Sequence, residues 1–77
     1  MSQQNTDVMI YTKSVLTPEQ FEVISNEVKD IKGVTRFERV EKRPYLIMVA
    51  YQATQTKALA ILNKITRMGF NASLVGI

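Results

Sequence analysis

The side chains that most often bind metals or carry out catalysis are missing from this sequence. Its 77 residues include no cysteine and no histidine, and thiolate and imidazole are the ligands that soft and borderline metals need. The same two side chains serve as nucleophile and proton carrier in many small active sites. With three glycines in total, the chain also has no glycine-rich phosphate loop. Composition therefore predicts a domain that is not an enzyme and that holds no metal and no cofactor.

Two weaker kinds of metal ligand are present. Glu19 and Glu22 lie one turn apart on a predicted helix, where two carboxylates could hold a hard cation only weakly. The four methionines are scattered along the chain, and methionine at helical or strand spacing usually packs in a core. We expect neither set to form a metal site.

The charge of the chain has two interpretations. Ten basic and seven acidic residues give a net charge of +3, and most of them are interspersed. One interpretation is a solvated, mildly basic surface. The other is an anionic partner, such as nucleic acid, an acidic protein face or a membrane headgroup. The one local cluster, Lys42-Arg43, lies at the tip of a predicted hairpin.

Hydrophobic spacing predicts a strand over residues 8–13, followed by an amphipathic helix. Thr17 and Gln20 have the spacing of a capping box, and Pro18 takes the first helical position between them. We therefore interpret Thr17 and Gln20 as a helix cap. Gly33 is expected to end the helix, because glycine adopts the left-handed conformation at little cost.

The second half of the chain repeats the pattern of the first. A strand over 34–41 completes the first half, and the second half is predicted to contain strands over 44–52 and 71–77, and a helix that is capped by Thr54 or Thr56 and ended by Gly69. The resulting order β-α-β-β-α-β, with right-handed crossovers, predicts an α+β, ferredoxin-like fold. In this fold a four-stranded antiparallel sheet carries both helices on one face, and the first and third strands are central.

Length and composition predict one small domain. We expect residues 1–7 to be a flexible N-terminal tail and residues 8–77 to form the domain. The tail lacks the pattern of a signal peptide, and no apolar run approaches the ~20 residues of a membrane span. The sequence thus predicts no membrane span and a cytoplasmic location.

Several residues at these boundaries resemble the heavy-metal-associated domain family. Gly33-Val34 is similar to that family's Gly-Val after the first helix. The segment Ile65-Thr-Arg-Met-Gly69-Phe70 is similar to its closing Ile-x-x-x-Gly-Phe. The resemblance extends over almost the whole chain. It implies a ferredoxin-like fold, soft-metal transport through a Cys-x-x-Cys loop, and docking on another protein near that loop.

The cysteine pair of that family has no counterpart in this chain. Counting back from Gly33 without a gap places Thr17 and Gln20 at the cysteine positions, and a one-residue gap places Pro18 and Phe21 there. Neither alignment supplies a thiolate, so we expect no soft metal and do not carry metal transport over to this chain. The fold and the docking on a partner protein remain as expectations.

The two central strands are predicted to be apolar on both faces. Whichever face meets the helices, the other stays largely apolar, unlike the usual antiparallel sheet with one solvated side. A tail or long side chains could cover that face, or it could bind a partner protein or a second copy. We expect a binding face centred on Tyr11, Ile47 and Val49. The candidate partner-binding residues are Met9, Tyr11, Lys13, Lys42, Arg43, Tyr45, Ile47, Val49 and Tyr51.

A domain that binds RNA or single-stranded DNA is the alternative. RNA-recognition motifs share this order of elements and stack bases on aromatic side chains of the first and third strands. Tyr11, Tyr45 and Tyr51 lie on those strands, but tyrosine is also a good strand former. Residues 42–49 lack the glycine and most of the aromatics of the third-strand signature. The predicted function is therefore a protein-interaction module, with nucleic-acid binding as the alternative.

Overall fold

The chain folds in the predicted order of strands and helices. A computed structural model describes residues 5–75. Its elements are β1 (Asn5–Thr12), α1 (Pro18–Lys29), β2 (Val34–Val40), β3 (Arg43–Gln52), α2 (Ala58–Arg67) and β4 (Ala72–Val75). The described strands pair antiparallel in the order β2-β3-β1-β4. The prediction of a ferredoxin-like fold with β1 and β3 at its centre is confirmed.

Strand β1 begins earlier than the sequence suggested. Asn5 and Asp7 pair with Gln52 and Ala50 of β3, so residues 5–7 of the predicted tail extend the strand. This extension is available because β3 is ten residues long and offers backbone partners beyond Val8. Residues 1–4 of the predicted tail and residues 76–77 of the predicted domain lie outside the described residues.

The predicted capping box begins α1. The Gln20 backbone N–H donates to Thr17 Oγ1 at 3.1 Å, and the Thr17 backbone N–H donates to Gln20 Oε1 at 3.0 Å. Pro18 occupies the first turn, where its missing N–H removes no helical hydrogen bond. The interpretation of Thr17 and Gln20 as a helix cap is confirmed.

The predicted end of α1 and the predicted start of α2 are both wrong. α1 ends at Lys29 with Asp30 as its C-cap, so Gly33 lies in the following turn, where its φ is +103°. The N-cap of α2 is Lys57, without a side-chain hydrogen bond, and not Thr54 or Thr56. Thr56 lies one residue before this N-cap, in the turn that leaves β3, where its N–H donates to Gln52 O at 3.1 Å.

The end of α2 and the β2–β3 hairpin lie at or close to their predicted positions. Gly69 comes directly after Met68, the C-cap of α2, and its φ of +98° agrees with the predicted helix end. The β2–β3 hairpin turns at Glu41 and Lys42, one residue before the predicted position, because Val40 pairs with Arg43. Lys42 adopts a φ of +68°, a conformation that costs a non-glycine residue free energy.

One hydrophobic core lies between the helices and one face of the sheet. Ile24 and Val28 of α1 and Ile61 and Ile65 of α2 are fully buried in it. The sheet contributes Val8, Ile10, Phe37, Ile47, Val49 and Tyr51. The other sheet face is thereby left free of both helices. Within residues 5–75, neither helix is long and apolar enough to cross a membrane.

Candidate functional site: the open face of the sheet

Alternation along β3 decides which side chains point away from the helices. Ile47 and Val49 are 2% and 0% exposed, and they belong to the core with Tyr51. The sequence interpretation placed Ile47, Val49 and Tyr51 among the binding residues of the uncovered face, and that placement is wrong for all three. Because successive strand residues point to opposite faces, Leu46 and Met48 take the positions that we had assigned to Ile47 and Val49.

The residues that point away from the helices form what we call the open face. β1 contributes Asp7, Met9 and Tyr11, which alternate with the buried Val8, Ile10 and Thr12. Strand pairing arranges the open face in cross-strand rows. From one end of the strands to the other, the rows are Asp7–Ala50–Arg36, then Val75–Met9–Met48–Glu38, then Ser73–Tyr11–Leu46.

The middle of the open face is apolar and partly exposed. Met9 and Met48 lie directly opposite each other on β1 and β3, and both are half-buried. Leu46, also half-buried, lies opposite Tyr11. The prediction that the central strands are apolar on both faces is therefore confirmed, although the residues on the uncovered side differ from those named.

One end of the open face is aromatic and cationic. The rings of Tyr11 and Tyr45 are 6.1 Å apart and are 41% and 42% exposed. A groove of about 410 Å³ runs beside Tyr11 and is lined by residues 42–46. A second cleft, of about 240 Å³, is lined by Tyr11, Lys13 and residues 71–73. The two clefts thus bring Tyr11, Tyr45, Lys13, Lys42 and Arg43 together at one end of the sheet.

These basic groups have no acidic partner within the described chain. The ion pairs of residues 5–75 are Arg36–Glu38 and Lys64–Glu27, and none of Lys13, Lys42 and Arg43 takes part in them. An unpaired cation at a surface is available to an anionic group of another molecule.

The opposite end of the open face carries carboxylates. Arg36 Nη2 lies 2.7 Å from Glu38 Oε2, and Arg36 Nε donates to the same oxygen at 3.0 Å. The hydrogen bond and charge of Glu38, with a further contribution from the charge of Asp7, raise the pKa of Arg36. Arg36 is thus paired with Glu38, and the further carboxylate of Asp7 leaves this end with a net negative charge.

The loop between β1 and α1 holds no metal-ligating set. Its Thr17 and Gln20 are engaged in the helix cap described above, and Arg39 donates to the loop carbonyls of Leu16 and Thr17. A polar cleft of about 230 Å³ separates this loop from the α2–β4 turn. It is lined by Thr12, Ser14, Leu16, Gln20, Gly69, Phe70 and Asn71. Over residues 5–75, no three carboxylates come close enough together to hold a metal ion.

Sequence reasoning missed several residues of this surface, namely Asp7, Arg36, Glu38, Leu46 and Met48. A usable signal was present in β1. Asp7 and Lys13 lie at odd positions, as do Met9 and Tyr11. Charged residues at both ends of the odd-numbered series indicate that these positions form the solvated face of the strand. Extending the strand to Asp7 would have assigned both faces.

Three solved structures resemble this fold closely. The putative copper-ion-binding protein from Bacillus anthracis str. Ames superposes with a TM-score of 0.79 at 15% identity, covering 94% of this chain and 100% of that chain. Oxidized MerP from Ralstonia metallidurans CH34 gives 0.78 at 11% identity, with 94% and 99% covered. The yeast copper transporter domain Ccc2a gives 0.78 at 19% identity, with 90% and 93% covered.

No protein-family model and no curated protein matches the sequence. The likeness to solved structures, at these identities, is a likeness of fold. The predicted resemblance to heavy-metal-associated domains is confirmed in that sense. The chain has this fold without any cysteine. Its functional surface must therefore be identified from the residues of this chain.

Proposed function

We propose that this domain is a non-enzymatic protein-interaction module and that the open face of the sheet is its binding surface. The observation that carries the proposal is the apolar centre of that face, formed by Met9, Met48 and Leu46 next to Tyr11. The proposal includes the cytoplasmic location expected from the sequence.

The energetic argument rests on apolar area. Four strands at a spacing of ~4.8 Å and about eight residues at ~3.3 Å give a whole face of roughly 500 Å², of which the apolar centre is a part. Exposed apolar patches of a few hundred Å² on small proteins often mark binding sites, and each Å² removed from water contributes about 25 cal/mol. Binding of a protein surface would bury the methionines and leucine while the charged ends stay at the rim.

Composition supports a role other than soft-metal transport or catalysis. The structural neighbours include a putative copper-ion-binding protein and a copper transporter domain, and this chain lacks the thiolates that Cu(I) prefers. It also lacks histidine and cysteine for acid–base or nucleophilic chemistry. We therefore infer that this domain, with its apolar sheet face, functions by binding another protein.

Photo-cross-linking in the cells of origin tests the proposal. p-Benzoylphenylalanine is placed at Met48, and the matched control is placed at Val23, an apolar residue of α1 that is 54% exposed. We expect a discrete protein adduct from position 48 and none from position 23. The absence of any protein adduct from position 48, or equal adducts from both positions, would overturn the proposal.

Single-stranded nucleic acid is the second candidate, favoured by the Tyr11–Tyr45 ring pair among Lys13, Lys42 and Arg43. Aromatic rings beside basic side chains are the usual means of binding unpaired bases. Asp7 and Glu38 on the same face oppose this candidate, because they repel phosphates. Fluorescence anisotropy with short single-stranded RNA and DNA at low salt decides the matter. If the domain binds nucleic acid, association should be tight and should weaken steeply as the salt concentration rises. If no binding is detected at high micromolar protein, this candidate function is wrong.

A further inference from the structure

The open face carries opposite charges at its two ends. Asp7 lies in the first row and Glu38 at the β2 edge of the second, and Arg36 neutralises only part of their charge. Lys13, Lys42 and Arg43 line the clefts around Tyr11 at the other end. Between the ends lie the apolar rows. A surface with this polarity is complementary to a copy of itself that has been turned end over end.

We propose that the open face binds a second copy of this chain in a two-fold dimer, with the axis lying in the interface and running across the strands. This inference rests on the proposed function and names its partner. An axis in this direction exchanges the ends of the strands, so the cationic end of each copy faces the acidic end of the other. An axis along the strands would instead set cations against cations.

The register of the rows fixes where the axis passes. If it passed through the Met9–Met48 row, Glu38 would face Glu38 of the second copy. If the axis instead passes between that row and the Tyr11–Leu46 row, Met48 of one copy contacts Leu46 of the other. Met9 then contacts the Tyr11 ring of the second copy. A methionine sulfur beside an aromatic ring is a favourable contact.

The same placement pairs the charged ends. Asp7 of one copy then lies opposite Lys13 of the other. Arg36, in the same row as Asp7, keeps its ion pair with Glu38, and Glu38 lies one row nearer to the Lys42–Arg43 hairpin of the other copy than to its own. Two-fold symmetry makes each of these contacts twice. Opposite charges at the rim of an apolar centre fix the orientation of two surfaces, because other orientations bring like charges together.

The size of the face limits the strength of the dimer. About 500 Å² per copy gives roughly 1,000 Å² of buried area in total, which is the lower end of specific interfaces. We therefore expect reversible association in the micromolar range rather than a permanent dimer. Such a dimer is visible by sedimentation over a concentration series.

Charge reversal in two complementary variants tests the proposal. The first variant combines Lys13→Glu with Arg43→Glu, and the second combines Asp7→Lys with Glu38→Lys. Each alone sets like charges against each other across the interface, so each should raise the dimer dissociation constant at least ~tenfold. An equimolar mixture should recover association, because the reversed ends are complementary between the two variants.

Two controls distinguish a weakened interface from loss of folding and from a change in net charge. Circular dichroism establishes that each variant is folded. Lys32→Glu with Arg67→Glu changes the net charge as much as the first variant, at exposed positions outside the open face, and should leave the dissociation constant within about twofold, as expected for surface substitutions away from contacts. Sedimentation equilibrium reports the mass relative to the 8.8 kDa monomer.

Three results would overturn the second copy as partner: a parent that stays monomeric at millimolar concentration, reversed variants that associate like the parent, or a mixture that recovers nothing. A monomeric parent whose position 48 still cross-links to another protein in cells would overturn this inference alone. A monomeric parent with no protein adduct at position 48 would overturn the proposed function as well.

Discussion

Arg39 Nη2 on β2 lies 2.6 Å from the carbonyl oxygen of Leu16, in the loop that precedes α1. The same nitrogen is 3.3 Å from Thr17 O, and the guanidinium carbon lies 4.8 Å from the centre of the Phe21 ring. Phe21 in turn packs at 5.1 Å from Phe37. One basic side chain thus ties an edge strand to the loop where the resemblance would place a metal.

Removing this guanidinium should loosen the loop. Arg39→Ala loses charge-assisted hydrogen bonds to two carbonyls and a cation–π contact, and we expect a loss of about 1–2 kcal/mol in the free energy of unfolding. Arg39→Lys keeps the charge without the planar fork and should lose less. Urea unfolding measures both. The control is Arg36→Ala, whose ion pair is exposed to solvent and should change the free energy of unfolding much less; an equal effect at positions 36 and 39 would contradict the role of Arg39.

The absence of soft-metal binding can be tested against a matched variant. We expect the parent chain to lose competition for Cu(I) or Zn(II) against a micromolar chromophoric chelator, because it offers no thiolate and no imidazole. Thr17→Cys combined with Gln20→Cys places two thiols at the start of α1, where the helix favours thiolate, and should compete. A stoichiometric metal complex of the parent that is lost in Thr17→Ala would show the prediction to be wrong.

The sequence could predict the fold because its signals were local. The Thr17–Gln20 box and Gly69 mark helix boundaries through backbone chemistry that depends on a few neighbouring residues. The face of β3 could not be read in the same way, because Leu46 to Tyr51 are apolar at every position. Their side was set by pairing with β1 and by packing against α1 and α2, which are contacts between distant parts of the chain.

The same distinction explains the two helix boundaries that were predicted wrongly. Gly33 has the positive φ that glycine favours, but it lies in the turn beyond the end of α1, where it packs closely against Gln55. Thr56 has a capping side chain, but it lies in the turn that leaves β3, where its N–H donates to Gln52 O, and Lys57 takes the N-cap position. A glycine or threonine that could end or cap a helix therefore does not determine the helix boundary when tertiary contacts fix the backbone at that position.

Gly33 and Gly69 provide a matched pair for separating steric clash from backbone strain. Both have positive φ, so alanine at either position should cost about 1 kcal/mol or more. A Cβ at Gly33 would also lie 2.5 Å from Gln55 Cβ, whereas a Cβ at Gly69 meets nothing within 4 Å. Gly33→Ala should therefore be the more destabilising by at least about 1 kcal/mol. Urea midpoints of the two variants check this order, and equal midpoints would contradict the close approach at Gly33.

Aspartate at two adjacent positions of β3 separates the core from the binding face. Ile47→Asp places an unpaired charge among fully buried side chains, and a domain of this size should lose several kcal/mol and unfold. Met48→Asp places the same charge on the open face, so circular dichroism should stay native while sedimentation shows weaker association. The second half of this outcome depends on the proposed dimer, and the first half depends only on the orientation of β3. A folded Ile47→Asp variant with parental stability would mean that the assignment of the two faces is reversed.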